Sequence, residues 1–478
     1  MTTKLKTQNA GVKLLLVFIA PCLFACSSPP PEQASVPDYA AAAVTEEEAR
    51  PDNTQSILTA VADALGRRDY ETALAHFDRL ESDVADSSDI LLLKASTLVS
   101  AGKTAEGRTI AERIVSEEPD NTEALYVLST MERALGKERE QKALLERLLQ
   151  LDPNHVRALI ALGDIAFRAR SLSRAASYYD TALEAEPDNG DALVGRAGVY
   201  RYQRNPKQAE SLLNRAVALY PQWTKPLTDR ARLYQGAGFY TDALNDLDRA
   251  QKINGNDYWI AVDRGIVLVD LNRKEDALAE FNRAIAMNPD IFLPYVYSAG
   301  IKDDFGDFEG AERDYTVLAR LNPEYYFAFE GVGVHKMRKG LWAEARDNFM
   351  EAYKQSPDTT SYALLASLCW MRAGRVQDPK PFLTQALKRV QRDSLDYALL
   401  RLYQDLNGDS DVAMRLDKET DVVLKARMLY YLASYYDVRG STTLANRYYT
   451  QIYQMGRLPI IEWRLNEMVM DERNLKAF

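Results

Sequence analysis

Pro119, Pro153, Pro187 and Pro221 lie 34 residues apart, and so do Pro289, Pro323 and Pro357; Gly255 fills the one gap and keeps the phase. A helix-ending residue at a fixed interval means one structural unit stacked many times. Each unit of such an array packs only on its neighbours, so a length of 478 residues does not demand one very large core. Function is then expected in a surface that several units build together, not in a pocket within one of them.

The residues between the breakers define the unit. Numbered so that the proline is position 32, units start at Thr54, Ser88, Thr122, Val156, Gly190, Thr224, Tyr258, Phe292, Tyr326 and Thr360. Small residues recur at position 8 (Gly163, Ala197, Ala231, Gly265, Ala299, Gly333), at position 20 (Ala175, Ala209, Ala243, Ala277) and at position 27 (Ala182, Ala216, Ala250, Ala284). Position 24 is bulky: Phe77, Tyr179, Leu213, Leu247, Phe281, Tyr315 and Phe349. Two helices that cross closely need small residues at the crossing and a large one filling the gap beside it. Apolar spacing between these positions is helical, and Gly238-Phe239-Tyr240 or Asn272-Arg273-Lys274 mark a turn near mid-unit. Repeats 2 and 3 are looser, with Gly107 and Gln141 at position 20. After Trp370 the phase weakens: Pro379 occupies position 20 and Asp417 the bulky position. Ala433, Tyr436, Ala445 and Tyr449 restore the pattern in a last unit expected to start near Ala426.

This pattern resembles the tetratricopeptide repeat (TPR) family. Leu162-Gly163 with Ala175, Tyr179, Ala182 and Pro187 matches the family motif, as do Arg264-Gly265, Ala277, Phe281, Ala284 and Pro289. The resemblance runs over roughly residues 54–454. It implies an all-α, right-handed superhelical solenoid of about 12 helix-turn-helix repeats, the eleventh shortened. The expected divisions are a signal segment over 1–25, a disordered tether over 26–53, the solenoid over 54–455 and a C-terminal capping helix over 456–478. In that helix Ile460, Ile461, Trp463, Leu465, Met468 and Val469 follow Pro459, suiting it to cover the last apolar face, with partner binding as the alternative.

The front of the chain reads as a targeting segment. Lys4, Lys6 and Lys13 precede a short apolar run, Leu14 to Phe24, that is too short for a stable membrane span. Leu23-Phe24-Ala25-Cys26 resembles the lipobox of bacterial lipoproteins, which implies that Cys26 carries a diacylglycerol and becomes the mature N-terminus. Phe24 departs from the usual small residue, a relaxation similar to spirochaetal boxes, and the whole resembles treponemal outer-membrane TPR lipoproteins. The other reading is an ordinary secreted protein cut nearby. Ser27 to about Asn53 holds Pro29-Pro30-Pro31, an alanine run and Glu46-Glu47-Glu48, and cannot bury a core.

Formal net charge is −10, and removing a segment with three lysines and no acid leaves about −13. That argues against bulk nucleic-acid binding. With Cys22 cut away and Cys26 acylated, only Cys369 remains, so no intrachain disulfide is expected. His76, His155 and His335 fall in different repeats and read as surface or helix-end residues. Leu135-Gly136-Lys137 lacks the rest of a phosphate loop. Asp405, Asn407, Asp409 and Asp411 lack the glycine (Ser410) and the bidentate glutamate (Leu416) of a calcium loop. Asp303-Asp304 reads as a solvated face. No catalytic residue, metal site or cofactor is expected, and the chain reads as a non-enzyme.

In the family, first helices line a concave groove through positions 2, 5, 9, 12 and 13. Carried onto this chain, those positions give Arg157, Phe167, Arg168, Arg201, Tyr202, Lys225 and Arg232 from repeats 4 to 6, then Trp259 from repeat 7. A cationic, aromatic-lined groove suits an extended anionic ligand, an acidic peptide or an acidic glycan. The alternative is a solvated groove whose arginines pair with acids such as Asp164 and Asp229. Arg196, Arg230 and Arg264, at position 7, read as a separate structural ladder. Taken together, the expectation is an outer-membrane, lipid-anchored interaction protein that binds protein or peptide. It is either surface-displayed and adhesin-like or a periplasmic scaffold for envelope or secretion assembly.

Overall fold

A computed structural model describes residues 53–477; the signal, Cys26 and tether expectations lie outside the described residues. Among the described residues there are 26 α-helices and no strand, and the helices follow one another as antiparallel packed pairs. Two compact units divide them, one ending at Gly255 and the other beginning at Asn256. Among the described residues no helix is long and apolar enough to cross a membrane.

The first unit holds repeats 1 to 6. Its first helices run Asn53–Gly66, Ser88–Ser100, Thr122–Ala134, Val156–Arg168, Gly190–Tyr202 and Thr224–Ala237. The second holds repeats 7 to 12, with first helices Tyr258–Asp270, Phe292–Phe305, Tyr326–Arg338, Thr360–Arg372, Leu395–Asp405 and Val422–Val438. Within each unit first helices of successive repeats come into contact, as Val156–Arg168 does with Gly190–Tyr202 in the first and Thr360–Arg372 with Leu395–Asp405 in the second. Every first helix of repeats 1 to 10 is followed by a left-handed residue on the 34-residue interval, from Arg68, Gly102 and Gly136 to Gly374. Arg170, Arg204 and Asn272 hold that conformation without being glycine, so the turn is imposed by the helix pair as much as by the residue.

The small and large positions meet as their spacing demands. A Cβ on Gly163 would lie 2.7 Å from the Tyr179 ring, one on Gly265 2.6 Å from Phe281, and one on Gly333 2.8 Å from Phe349. The same position-24 ring also touches position 6 of the following repeat. Tyr179 lies against Gly195 and Tyr315 against Gly331, while Phe281 stacks on Tyr297 with centroids 4.9 Å apart. In repeat 2 the second helix presses so closely that a Cβ on Gly107 would stand 2.6 Å from the Ala95 carbonyl oxygen, which explains the glycine at position 20.

In repeats 10 and 11 the pairs shorten. Pro379 caps a second helix of only 8 residues, Lys380–Leu387, and repeat 11 is built from helices of 11 and 10 residues. The last first helix starts at Val422, ahead of Ala426, because Asp421 accepts the backbone N–H groups of Val423 and Leu424. Short second helices let the first helices of repeats 10, 11 and 12 share one core, with Tyr362, Tyr403, Tyr431 and Tyr449 all fully buried. Cys369 is buried there, and burial pushes its thiol up to about 12. The tail helix Ile461–Glu472 closes the array, placing Leu465 and Met470 in that core.

Removing a position-24 ring should loosen two contacts at once. Phe281→Ala is expected to cost about 3–5 kcal/mol in urea unfolding. Phe281→Leu, the residue found at position 24 of repeats 5 and 6, should cost clearly less. Equal losses for both would show that the ring does not bridge repeats 7 and 8.

Candidate functional site

In the first unit the cations expected from sequence stand on the first-helix face, each beside a defined partner. Arg157 Nη2 lies 2.7 Å from Glu123 Oε2 and its guanidinium 4.5 Å from the centroid of the Tyr126 ring. Arg168 Nη2 lies 3.1 Å from Glu138 Oε2, with 48% of its side chain exposed. Phe167 and Tyr202 form an edge-on pair, centroids 5.2 Å apart, bridging repeats 4 and 5. The Arg201 guanidinium lies 5.8 Å from the Tyr202 centroid.

Repeats 5 and 6 gather charge of one sign. Lys225 Nζ lies 3.8 Å from Asp229 Oδ2 and Arg232 Nη1 3.2 Å from Asp229 Oδ1. Burial works against the Asp229 charge, but Lys225, Arg232 and Arg201 outweigh it and hold the carboxyl below the usual aspartate range. Two cations thus stand against one carboxylate, and Arg201 favours its charge from farther off. In repeat 4, Asp164 is pushed up by burial, although Tyr179 Oη donates to it at 2.5 Å and Lys225 and Arg168 favour its charge.

The position-7 arginines point elsewhere. Arg230 donates twice to Asp246, at 2.7 and 2.6 Å, Arg196 lies 2.6 Å from Asp180, and Arg264 pairs with Glu280. Their side chains are 11–16% exposed, so they tie the two helix layers together and meet no ligand. Trp259 belongs to the second unit, where its ring lies 5.0 Å from that of Tyr258.

Two readings from sequence are corrected in the second unit. Asp303 is not solvated: its side chain is 10% exposed, and its carboxylate accepts from Tyr315 Oη at 3.0 Å and from Arg464 Nη2 at 2.8 Å. His335 is not a surface residue but is 1% exposed, with Nε2 3.0 Å from Asp303 Oδ1. His155 is a helix-end residue, its Nδ1 accepting the Ala158 N–H to cap repeat 4. Asp405 and Asp411 pair with Arg401 and Arg415 in the repeat-11 turn.

The tail helix supplies buried polar contacts that sequence reasoning missed. Arg464 reaches back 161 residues to Asp303. Glu462, 1% exposed, accepts from Tyr431 Oη at 2.6 Å and from Ser361 Oγ. Beside it Tyr362 Oη donates to Glu330 Oε2 at 2.6 Å. The only sequence signal was two charges, Glu462 and Arg464, flanking Trp463 in an otherwise apolar run, together with acids inside the first helices of repeats 8 and 9.

Residues 139–181, 160–222 and 228–290 match the tetratricopeptide repeat family model. Among solved structures, the chain is similar to a tetratricopeptide repeat protein from Parabacteroides merdae ATCC 43184, at 19% identity over 51% of this chain and 97% of that one, TM-score 0.42. It is also similar to PilW, described as a widely conserved type IV pilus biogenesis factor, at 19% identity over 42% of this chain and 94% of that one, TM-score 0.39. A third is YrrB, described as a TPR protein with an unusual peptide-binding site, at 20% identity over 38% of this chain and 95% of that one, TM-score 0.31. The consecutive helix pairs and the matched repeats make the fold an all-α TPR solenoid, a kind that typically serves as a non-catalytic scaffold for protein–protein interaction.

Titration should act on the tail contact. Burial pushes the Glu330 and Glu462 carboxyls above the usual glutamate range. Burial also opposes the Asp303 charge, yet His335, Arg464 and Tyr315 hold that carboxyl below its usual range. A carboxyl raised on docking contributes fully below the ordinary glutamate value and loses its contribution as pH rises through the raised one. Asp303 contributes above the ordinary aspartate value and loses that only as pH falls through its lowered one. The tail helix is therefore expected to be held more tightly at about pH 5 than at about pH 7, both above the ordinary carboxyl values. Hydrogen-exchange protection of Ile461–Glu472, corrected for intrinsic rates, reads this directly, and Glu462→Gln should flatten the difference. Protection that rises from the lower to the higher pH would contradict it.

Proposed function

We propose that this chain is a lipid-anchored envelope protein that binds an extended anionic ligand on the first-helix face of repeats 4 to 6. The observation that carries the reading is the cluster of Lys225 and Arg232 at the Asp229 carboxylate, with Arg201 farther off. Arg201, Lys225 and Arg232 bring three positive charges to this face, and the neighbouring Phe167–Tyr202 pair offers flat apolar surface beside them. A carboxylate- or sulfate-bearing chain, peptide or glycan, would meet charge and ring together. Arg157 and Arg168 would exchange their contacts with Glu123 and Glu138 for the same ligand.

Heparin fragments and polyglutamate are suitable probes. Arg201→Glu with Arg232→Glu should weaken binding of either at least tenfold, and binding by the parent should fall steeply with salt, since exposed charges are screened within roughly 8 Å at physiological ionic strength. Binding indifferent to both changes would remove the anionic-ligand reading.

The anchor reading rests on Leu23-Phe24-Ala25-Cys26. Cys26→Ser should abolish incorporation of labelled palmitate, and unchanged labelling would refute the lipid. The proposal further places the repeats on the outside of the outer membrane, adhesin-like. External protease should then remove them from intact cells; resistance until the membrane is broken would make the chain a periplasmic scaffold instead.

A further inference from the structure

The tail helix does more than cover an apolar end. Ser361 stands at position 2 of repeat 10, Glu330 at position 5 of repeat 9 and Asp303 at position 12 of repeat 8. These are ligand-facing positions of the first helices, and in the second unit the tail helix sits across them. One side of the helix is apolar and carries Leu465 and Met470 into the terminal core. The other side is chemical: Glu462 enters between Ser361 and Tyr431, and Arg464 enters between Asp303 and Tyr315. Arg457, just ahead of the helix, lies 3.8 Å from Asp304.

The tail helix thus adds to its apolar seat a set of charged contacts on the first helices of repeats 8 and 10. Taking charges out of water offsets much of their mutual attraction. The fit is also incomplete: His335 Nδ1, the Trp463 indole nitrogen and Asn466 Oδ1 are buried without a hydrogen-bond partner. Buried polar atoms without partners weaken a contact. An interface of this kind is built to recognise and to release, and its chemistry is acidic on the receiving side and arginine-bearing on the helix.

We propose that the first-helix face of repeats 8 to 12 is a second recognition site, for an arginine-bearing helix of a partner protein, and that the tail helix is its resident and exchangeable occupant. The receiving group is the Asp303 carboxylate, framed by Tyr315 and His335, with Asp304 and Glu330 extending the acidic surface. A partner helix enters by placing its arginine where Arg464 now stands. The site differs from the cationic face of repeats 4 to 6 in both location and charge, so the two stand or fall separately.

The test uses the full chain and a labelled synthetic peptide of residues 457–473. Arg464→Glu should free the site: the tail loses hydrogen-exchange protection while the repeats keep theirs, and the peptide binds at least tenfold more tightly than to the parent. Adding Asp303→Asn to that variant should abolish the gain while leaving the tail equally exposed. If Arg464→Glu leaves tail protection or peptide affinity unchanged, the tail is a cap alone and the proposal fails. Should Arg464→Glu not fold, the parent decides. Excess peptide is expected to speed exchange of the resident tail at Ile461–Glu472, and no acceleration would overturn the site.

Discussion

The array depends on the side chain at position 24, a ring at Phe77, Tyr179, Phe281, Tyr315 and Phe349 and a leucine at Leu145, Leu213 and Leu247. The side chain at position 24 leaves the second helix, passes position 8 of its own first helix and comes to rest on position 6 of the next. Where it is large, the first helices give way to it: Gly163 and Gly195 about Tyr179, Gly265 about Phe281, Gly331 about Tyr315. Space at those glycines is already filled by the ring, so the two sites are one packing decision. Because that side chain is shared between repeats, no repeat has a finished core alone, which is the physical content of a solenoid.

That dependence explains what could be read in the sequence. A contact that recurs every 34 residues leaves a periodic trace, and first helices do begin at Ser88, Thr122, Val156 and onward to Thr360 in that phase. Where the trace faded, the structure also departs: the second helix after Pro379 is shortened and repeats 10 to 12 merge their cores. The burial of Asp303 and His335 left no trace. His335 is enclosed by Phe308, Tyr315 and Asp303 of the preceding repeat, and Asp303 also meets Arg464 from 161 residues away, a meeting that no local pattern records. The pairing of Arg157 with Glu123 and Arg168 with Glu138 was open for a similar reason, since each joins neighbouring repeats through side-chain geometry that spacing alone does not specify.

Within this frame the two first-helix faces carry opposite chemistry. Repeats 4 to 6 present cations, with Lys225 and Arg232 against the Asp229 carboxylate and Arg201 farther off. Repeats 8 to 12 present carboxylates and tyrosines, and the chain's own arginine answers them. The first-helix face carries either sign because the packing residues at 8, 20, 24 and 27 do not fix the charge at positions such as 2 and 12, where Arg157, Lys225, Arg201 and Asp303 stand.

The shared side chain is tested most directly by deleting whole repeats. Removing 224–257 sets Leu213 in the place of Leu247, leucine for leucine at position 24. Removing 190–223, a deletion of the same 34 residues in the same phase, sets Tyr179 against Asp229 where it now meets Gly195. Thermal melts of the two deletion proteins, followed by circular dichroism at equal concentration, should show the first close to the parent and the second melting clearly lower. Equal melts would contradict the claim that the position-24 side chain joins each repeat to the next.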